Sequence, residues 1–193
     1  YGTDLDLSAG SPDPVSITVY DASSDDTIVS VTSASLLLAS VDRASQTVAA
    51  LEIINLANES DHAYVPGPDP MQLLRFGLPP GATGLQVDTR LIDADYAQVD
   101  RGFALFASVP PGEHQLTFSY RFPYEGDELT LEKSYRYGAG TIRVLAPYEV
   151  MASKIAQLGD PESITIGQRQ FQLIEAGGVA RGETLSIQLG GLP

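Results

Sequence analysis

Histidine, the most versatile metal ligand and general base, occurs only twice in the 193 residues, at His62 and His114. Neither has a second histidine at metal-binding spacing, and each lies in a turn-like or polar stretch. The sequence contains no cysteine and no Gly-x-Ser-x-Gly nucleophile motif. We therefore predict no catalytic residues, no metal site and no cofactor, and a protein that is not an enzyme.

Carboxylates are plentiful but do not form a recognisable site. They gather in three clusters, which are Asp21/Asp25/Asp26, Asp93/Asp95/Asp100 and Glu125/Asp127/Glu128. None of these follows the alternating Asp loop with a central glycine that binds calcium in helix–loop–helix sites. We interpret the clusters as solvated loops.

One triplet, Asn58-Glu59-Ser60, matches the N-x-Ser acceptor pattern for N-glycosylation. Such triplets are common by chance, so Asn58 is a candidate glycosylation site and no more.

The charge balance restricts the partners. Eleven Lys and Arg stand against 25 Asp and Glu, a net charge of −14. Binding to nucleic acid draws its affinity from released counterions and needs a basic surface, so the charge strongly disfavours nucleic acid as a partner. No apolar run approaches the length of a membrane span. The chain begins at Tyr1 rather than Met, which favours an exported protein.

The clearest structural signal is the stretch VPPGEHQLTFSYRFPY, residues 109–124. After a Pro-Pro-Gly turn, Leu116, Phe118, Tyr120 and Phe122 occupy every second position. A period of two places them on one face of a β-strand, with Thr117, Ser119 and Arg121 on the other. We predict that the first face is buried and the second is not.

The same unit recurs along the chain. Residues 79–87 read PPGATGLQV, and a shorter version begins at Gly182. Many short alternating strands separated by glycine and proline predict an all-β fold, an antiparallel Ig-like β-sandwich. One segment differs, because Tyr148, Met151, Ile155 and Leu158 have helical spacing. It is either one short helix near 148–158 or a strand over 144–154.

The sequence suggests three segments. Residues 1–26 form an N-terminal extension with an isolated strand at 14–20, and residues 27–122 form a first β-sandwich. Residues 123–193 form either a second sandwich or a continuation of the first.

The strings LRFGLPPGATGL, VPPGEHQLTFSYRFPY and LGGLP resemble a class of bacterial envelope proteins. In that class a transthyretin-like β-domain precedes an Ig-like sandwich and a membrane anchor follows. The resemblance covers roughly residues 50–193, and it rests on turn and strand signatures. It implies a secreted or cell-surface β-sandwich and supplies no catalytic residues.

The isolated strand carries the functional hypothesis. Val15, Ile17 and Val19 share one face, Tyr20 follows them, and polar segments flank the strand on both sides. The strand can fold back as the first strand of its own sandwich, or it can pair with the open edge of a neighbouring copy. The second alternative predicts an extracellular filament or pilus-like polymer, whose partner is a second copy or another envelope protein. The remaining alternative is a non-catalytic adhesion module for glycan or protein.

Overall fold

The computed structural model describes residues 17–155 and 161–193, and this part of the chain is all-β, as predicted. The strands in chain order are β1 (Asp21–Ser23), β2 (Val29–Asp42), β3 (Thr47–Asn58), β4 (His62–Tyr64), β5 (Leu74–Gly77), β6 (Thr83–Thr89), β7 (Ile92–Val99), β8 (Gly102–Ser108), β9 (Gly112–Pro123), β10 (Glu128–Tyr135), β11 (Thr141–Pro147), β12 (Met151–Ile155), β13 (Glu162–Ile166), β14 (Arg169–Ala176) and β15 (Glu183–Gly190). A single-turn 3-10 helix, Asp26–Ile28, lies between β1 and β2, and another, Pro70–Gln72, lies between β4 and β5.

The largest sheet has seven strands in the spatial order β13-β14-β11-β2-β3-β9-β6. All neighbours are antiparallel except β11 and β2, which run parallel. Along β2 and β3, buried positions alternate with more exposed ones, because successive side chains point to opposite faces. One face of the sheet is therefore apolar and needs a second layer to cover it.

Two smaller sheets supply that layer. Their orders are β5-β8-β7 and β10-β15-β12. Phe103 of β8 packs edge-on against Phe118 of β9, with ring centroids 5.0 Å apart. Ile187 of β15 is fully buried in the same core cluster. The fold is thus a β-sandwich in which one layer is continuous and the other is divided into two sheets.

The predicted register of β9 is confirmed. Leu116, Phe118, Tyr120 and Phe122 are at most 2% exposed, whereas the alternate residues Thr117, Ser119 and Arg121 are not buried. Strand β9 lies between β3 and β6, so its inward face lines the centre of the core.

Strands from both sides of residue 123 share the large sheet. Residues 141–145 of β11 pair with residues 33–37 of β2, which places the C-terminal part of the chain directly beside the N-terminal part. The structure therefore joins the 27–122 and 123–193 segments through one sheet and one core cluster.

Of the two alternatives for the segment with helical spacing, the strand is the nearer to the structure in the described residues. Strand β11 ends at Pro147, and Met151–Ile155 is β12, which pairs with β15. Tyr148 is 55% exposed, so it does not contribute to an apolar helix face. Pairing with β15 overrides the local pattern over 151–155, and residues 156–160 lie outside the described part. In the described ranges no helix is long and apolar enough to cross a membrane.

The strand expected at 14–20 is not formed in the part of it that the structure describes. Residues 14–16 lie outside the described part, and residues 17–20 belong to no strand. The first strand, β1, begins at Asp21 and runs parallel to β4, with Asp21 opposite His62. Residues 17–20 do not extend β1 because its partner strand β4 begins at His62. The β1–β4 ladder therefore offers no strand beside them.

Candidate functional site

The two histidines are placed apart. Nδ1 of His62 lies 2.5 Å from Oδ1 of its neighbour Asp61 at the surface. Nε2 of His114 lies 2.8 Å from the carbonyl oxygen of Pro110 and fixes the turn before β9. Among the described residues, no three His, Asp or Glu side chains come together in a group suited to a metal ion.

The first acidic cluster has local structural roles. Oδ1 of Asp25 accepts a hydrogen bond from the Thr27 N–H at 2.9 Å and caps a 3-10 turn, and these hydrogen bonds lower the pKa of Asp25. Asp26 forms a two-point contact with Arg136 through its Oδ2 atom. In the second acidic cluster, Asp95 has a similar local role, because its Oδ1 accepts a hydrogen bond from the Tyr96 N–H.

Asn58 is a buried structural residue. Its side chain is almost fully enclosed, and Nδ2 donates to the carbonyl oxygens of His62 and Val109 at 2.8 and 2.9 Å. Its Oδ1 accepts from the N–H and hydroxyl of Ser60. An amide with both hydrogens engaged and no access from solvent is a poor acceptor for a glycan, so the folded geometry counts against glycosylation at Asn58.

The most unusual feature of the molecule lies where the two smaller sheets meet. We call the boundary between β5 and β10 the seam, because the two strands lie side by side yet belong to different sheets. Side chains bridge it. The Tyr137 hydroxyl accepts from the Arg75 N–H at 2.8 Å, and the Lys133 ammonium donates to the Gly77 carbonyl at 2.8 Å.

A buried ion pair lies directly beneath the seam. Nζ of Lys133 on β10 is 2.5 Å from Oε1 of Glu52 on β3, and both side chains are about 95% or more enclosed. Oε1 also accepts from the Tyr120 hydroxyl at 2.7 Å, and the ammonium lies 5.6 Å from the centroid of the Phe118 ring. Lys133 thus links the large sheet to both small sheets through one group.

The electrostatics around Glu52 keep the nearby phenols neutral. Burial, and then the negative charge of Glu52, raise the pKa of Tyr120 well above its usual value. The same two causes raise the pKa of Tyr135. Tyr120 therefore stays a hydrogen-bond donor to the carboxylate. The ammonium and carboxylate are engaged with protein partners, which suits a structural tie better than attack on a substrate.

Two arginines enclose Tyr137 at one end of the seam. The guanidinium carbons of Arg136 and Arg181 lie 5.9 and 5.5 Å from its ring centroid, and both side chains contact Asp26. Arg181 also donates to the carbonyl of Val29 at 2.7 Å. This cluster ties β10, the loop before β15 and the start of β2 together.

Arg75 is poorly satisfied in comparison. Its Nε and Nη2 atoms are enclosed and have no hydrogen-bond partner among the described residues, and Nη1 lies 3.1 Å from the weak acceptor Sδ of Met71. An enclosed donor without a partner costs about 1–3 kcal/mol.

Arg75→Met should therefore raise the free energy of unfolding, by about 1–3 kcal/mol, because it removes the unpaired donors and keeps an apolar stem. Urea denaturation measures the change. The matched control is Arg143→Met: Arg143 is half exposed and pairs with Glu175 at 2.7 Å, so its loss should lower stability by about 0–1 kcal/mol. A destabilised Arg75→Met variant would contradict the assignment of Arg75 as unsatisfied.

An open cleft of about 410 Å³ lies at the other end of the seam. Apolar side chains form most of its wall, including Leu78, Pro79, Phe122, Leu129 and Leu131.

The described residues of the predicted assembly strand lie outside the seam and its cleft. Ile17 and Val19 are 80% and 84% exposed, and Tyr20 is 42% exposed. Val15 lies outside the described residues.

Comparison with known proteins informs the fold alone. No family model matches the chain, and no curated protein matches it either. Its structure is similar to part of an M1 zinc metallopeptidase from Deinococcus radiodurans, with a TM-score of 0.50 and 11% identity over 84% of this chain. A mutant of a Deinococcus radiodurans M1 zinc metallopeptidase, bound to a Tyr-Ser-Ala substrate, gives a TM-score of 0.50 at 12% identity.

This chain covers 42% of the length of those peptidase chains. At such low identity the likeness shows a shared all-β architecture, and it transfers no activity. The resemblance to bacterial envelope proteins stays a prediction.

Sequence reasoning missed the buried ion pair, although a signal for it exists. Glu52 occupies the inward position of an alternating strand, between the buried Ala50 and Ile54. Lys133 has the same relation to Leu131 and Tyr135. Two opposite charges at core positions of two strands predict a pair, because a lone buried charge is prohibitively costly.

Proposed function

We propose that this protein is a non-catalytic structural protein of the cell exterior, which assembles by donating residues 14–20 to a neighbouring copy. One observation carries the proposal: Ile17 and Val19 remain 80% and 84% exposed and lie outside every ladder. Large β-branched residues alternating in sequence favour a strand whose apolar face is covered. Within the described part of the chain, Ile17 and Val19 are left uncovered.

The position of β1 supports donation away from the chain's own body. The ladder of β1 with β4 starts at Asp21, so residues 17–20 lie before the start of that ladder. The large sheet ends at β6 on one side and at β13 on the other. Such edges carry unpaired N–H and C=O groups that can accept a strand.

A strand given by one copy to a different surface of the next is a head-to-tail contact. Contacts of this kind build a filament when the rotation does not close. The net charge of −14 favours solubility of the polymer, and the absence of cysteine makes its assembly independent of disulfides.

Deleting residues 1–20 should abolish assembly and leave the fold intact, because the core cluster of the described residues begins at Val29. Light scattering and electron microscopy of full-length and shortened protein at high concentration measure the difference. Circular dichroism and the melting temperature verify the fold of the shortened form.

A sharper comparison keeps the chain length constant. Ile17→Asp with Val19→Asp places charge on the apolar face and should prevent assembly, whereas Thr18→Asp changes the opposite face and should weaken it far less. A full-length protein that stays monomeric at high concentration overturns the proposal, and so does a shortened protein that polymerises equally well.

The cleft at the seam favours a second candidate, a surface module that binds a peptide or glycan of another envelope protein. Ligand sites are typically lined by apolar side chains, as this cleft is. Its volume of about 410 Å³ also lies within the range of such sites. Leu129→Lys would block the cleft. Loss of cell-surface adhesion in that variant, with assembly unchanged, would favour this alternative.

A further inference from the structure

The N-terminal segment is nearly a copy of one strand of the sandwich. Residues 14–19 read PVSITV, and residues 161–166 read PESITI. Proline, serine, isoleucine and threonine coincide at four positions, and Val19 corresponds to Ile166. The second copy is the edge strand β13 with the proline that precedes it.

Strand β13 is weakly held. Among the described strands it is the terminal one of the large sheet, and it pairs there with β14 alone. Four of its five residues are exposed, Ile166 to 47%, and only Ile164 is half-buried. An edge strand that buries so little apolar surface opens at low free-energy cost.

From this similarity we propose that residues 14–19 of one copy replace β13 on strand β14 of the next copy. This inference rests on the proposed function and names its acceptor. Residues 14–19, the donor strand, carry nearly the same side chains as β13, which β14 already accepts. A second copy of this chain is therefore a sufficient partner.

The register follows from the alignment. In the structure Glu162 lies opposite Leu173, Ile164 opposite Phe171 and Thr165 opposite Gln170. In the exchanged pairing Ile17 takes the place of Ile164 and Thr18 that of Thr165.

The donor also improves on β13 at one position. Val15 would stand opposite Leu173, where β13 has Glu162. An apolar cross-strand pair replaces a carboxylate beside an aliphatic side chain, which favours the donor over the resident strand.

A cysteine cross-link tests the register, because the natural sequence contains no cysteine. Thr18→Cys is made in one full-length copy and Gln170→Cys in another. Directly opposed residues on antiparallel strands have the Cα separation that a disulfide needs. After mixing and mild oxidation, a Thr18→Cys/Gln170→Cys dimer should be the main cross-linked product.

The matched control places the acceptor cysteine at the opposite edge of the same sheet. Gln86→Cys on β6 is likewise an exposed glutamine at an edge. With this acceptor only trace cross-linking is expected. Equal yields from the two acceptors would show non-specific contact and overturn the assignment of β14.

A locked hairpin tests displacement. Thr165→Cys with Gln170→Cys in one chain forms an internal disulfide between β13 and β14. The oxidised protein should lose assembly, and the same protein reduced should regain it. Equal assembly in both states would show that the donor adds beside β13 and would overturn the exchange.

Strand donation and the choice of β14 as its acceptor can be disproved separately. If removal of residues 1–20 abolishes assembly but no Thr18→Cys/Gln170→Cys product forms, strand donation stands and β14 is the wrong acceptor. If the shortened protein assembles normally, donation itself is wrong.

Discussion

Lys133→Met is expected to lower the free energy of unfolding by about 3–5 kcal/mol, because it leaves Glu52 as an uncompensated charge in the core. The substitution also leaves the Gly77 carbonyl without its Lys133 donor, so a charged contact across the seam is lost. Methionine has nearly the shape of the lysine stem, so little of the loss comes from packing. Urea denaturation followed by circular dichroism measures it.

A double variant separates charge from shape. Glu52→Leu alone leaves Lys133 unpaired and should be comparably destabilising, whereas Glu52→Leu with Lys133→Met removes both charges. The double variant should regain most of the stability lost in each single one, since an apolar pair often equals a buried ion pair. If the two losses simply add, the ion pair is not coupled and the assignment is wrong.

The sequence was sufficient to predict the all-β fold class and the buried face of the central strand β9. In β9 the apolar residues are large and alternate without interruption between a Pro-Pro-Gly turn and Pro123. Local pattern and tertiary burial agree there, so the prediction of the buried face is correct at every position. Local alternation and tertiary burial usually agree in strands that bury one face in the core.

Pairing partners distant in the chain could not be predicted. The parallel contact of β11 with β2 joins residues more than 100 positions apart, and no local signal marks it. The seam is a further example, because Tyr137 and Lys133 satisfy backbone groups of β5 that a ladder would otherwise pair. Alternation indicates which face of a strand is buried, but it does not identify the neighbouring strand.

Two segments show how the availability of a partner strand affects the local structure. Residues 17–20 have strand-forming composition but no partner strand among the described residues, whereas Met151 and Ile155 have helical spacing but lie on a strand that pairs with β15. In both places the availability of a partner decided the outcome over composition.

Phe118→Ala is the second large effect, with an expected loss of about 3–5 kcal/mol in the free energy of unfolding. The ring is 1% exposed and lies at the centre of the aromatic core. Its centroid is 5.0 Å from that of Phe103, 6.1 Å from Tyr120 and 6.2 Å from Phe76. Three neighbouring rings cannot all collapse into the space, so a cavity remains.

The same ring also faces the Lys133 ammonium, so the truncation should weaken the ion pair as well. Phe106→Ala on β8 is the matched control: that ring is 39% exposed on the outer face, and its loss should cost clearly less. A loss of this size is a large part of the roughly 5–15 kcal/mol that stabilises a domain. A Phe118→Ala variant that melts within a degree or two of the parent would show that β9 does not line the core as described.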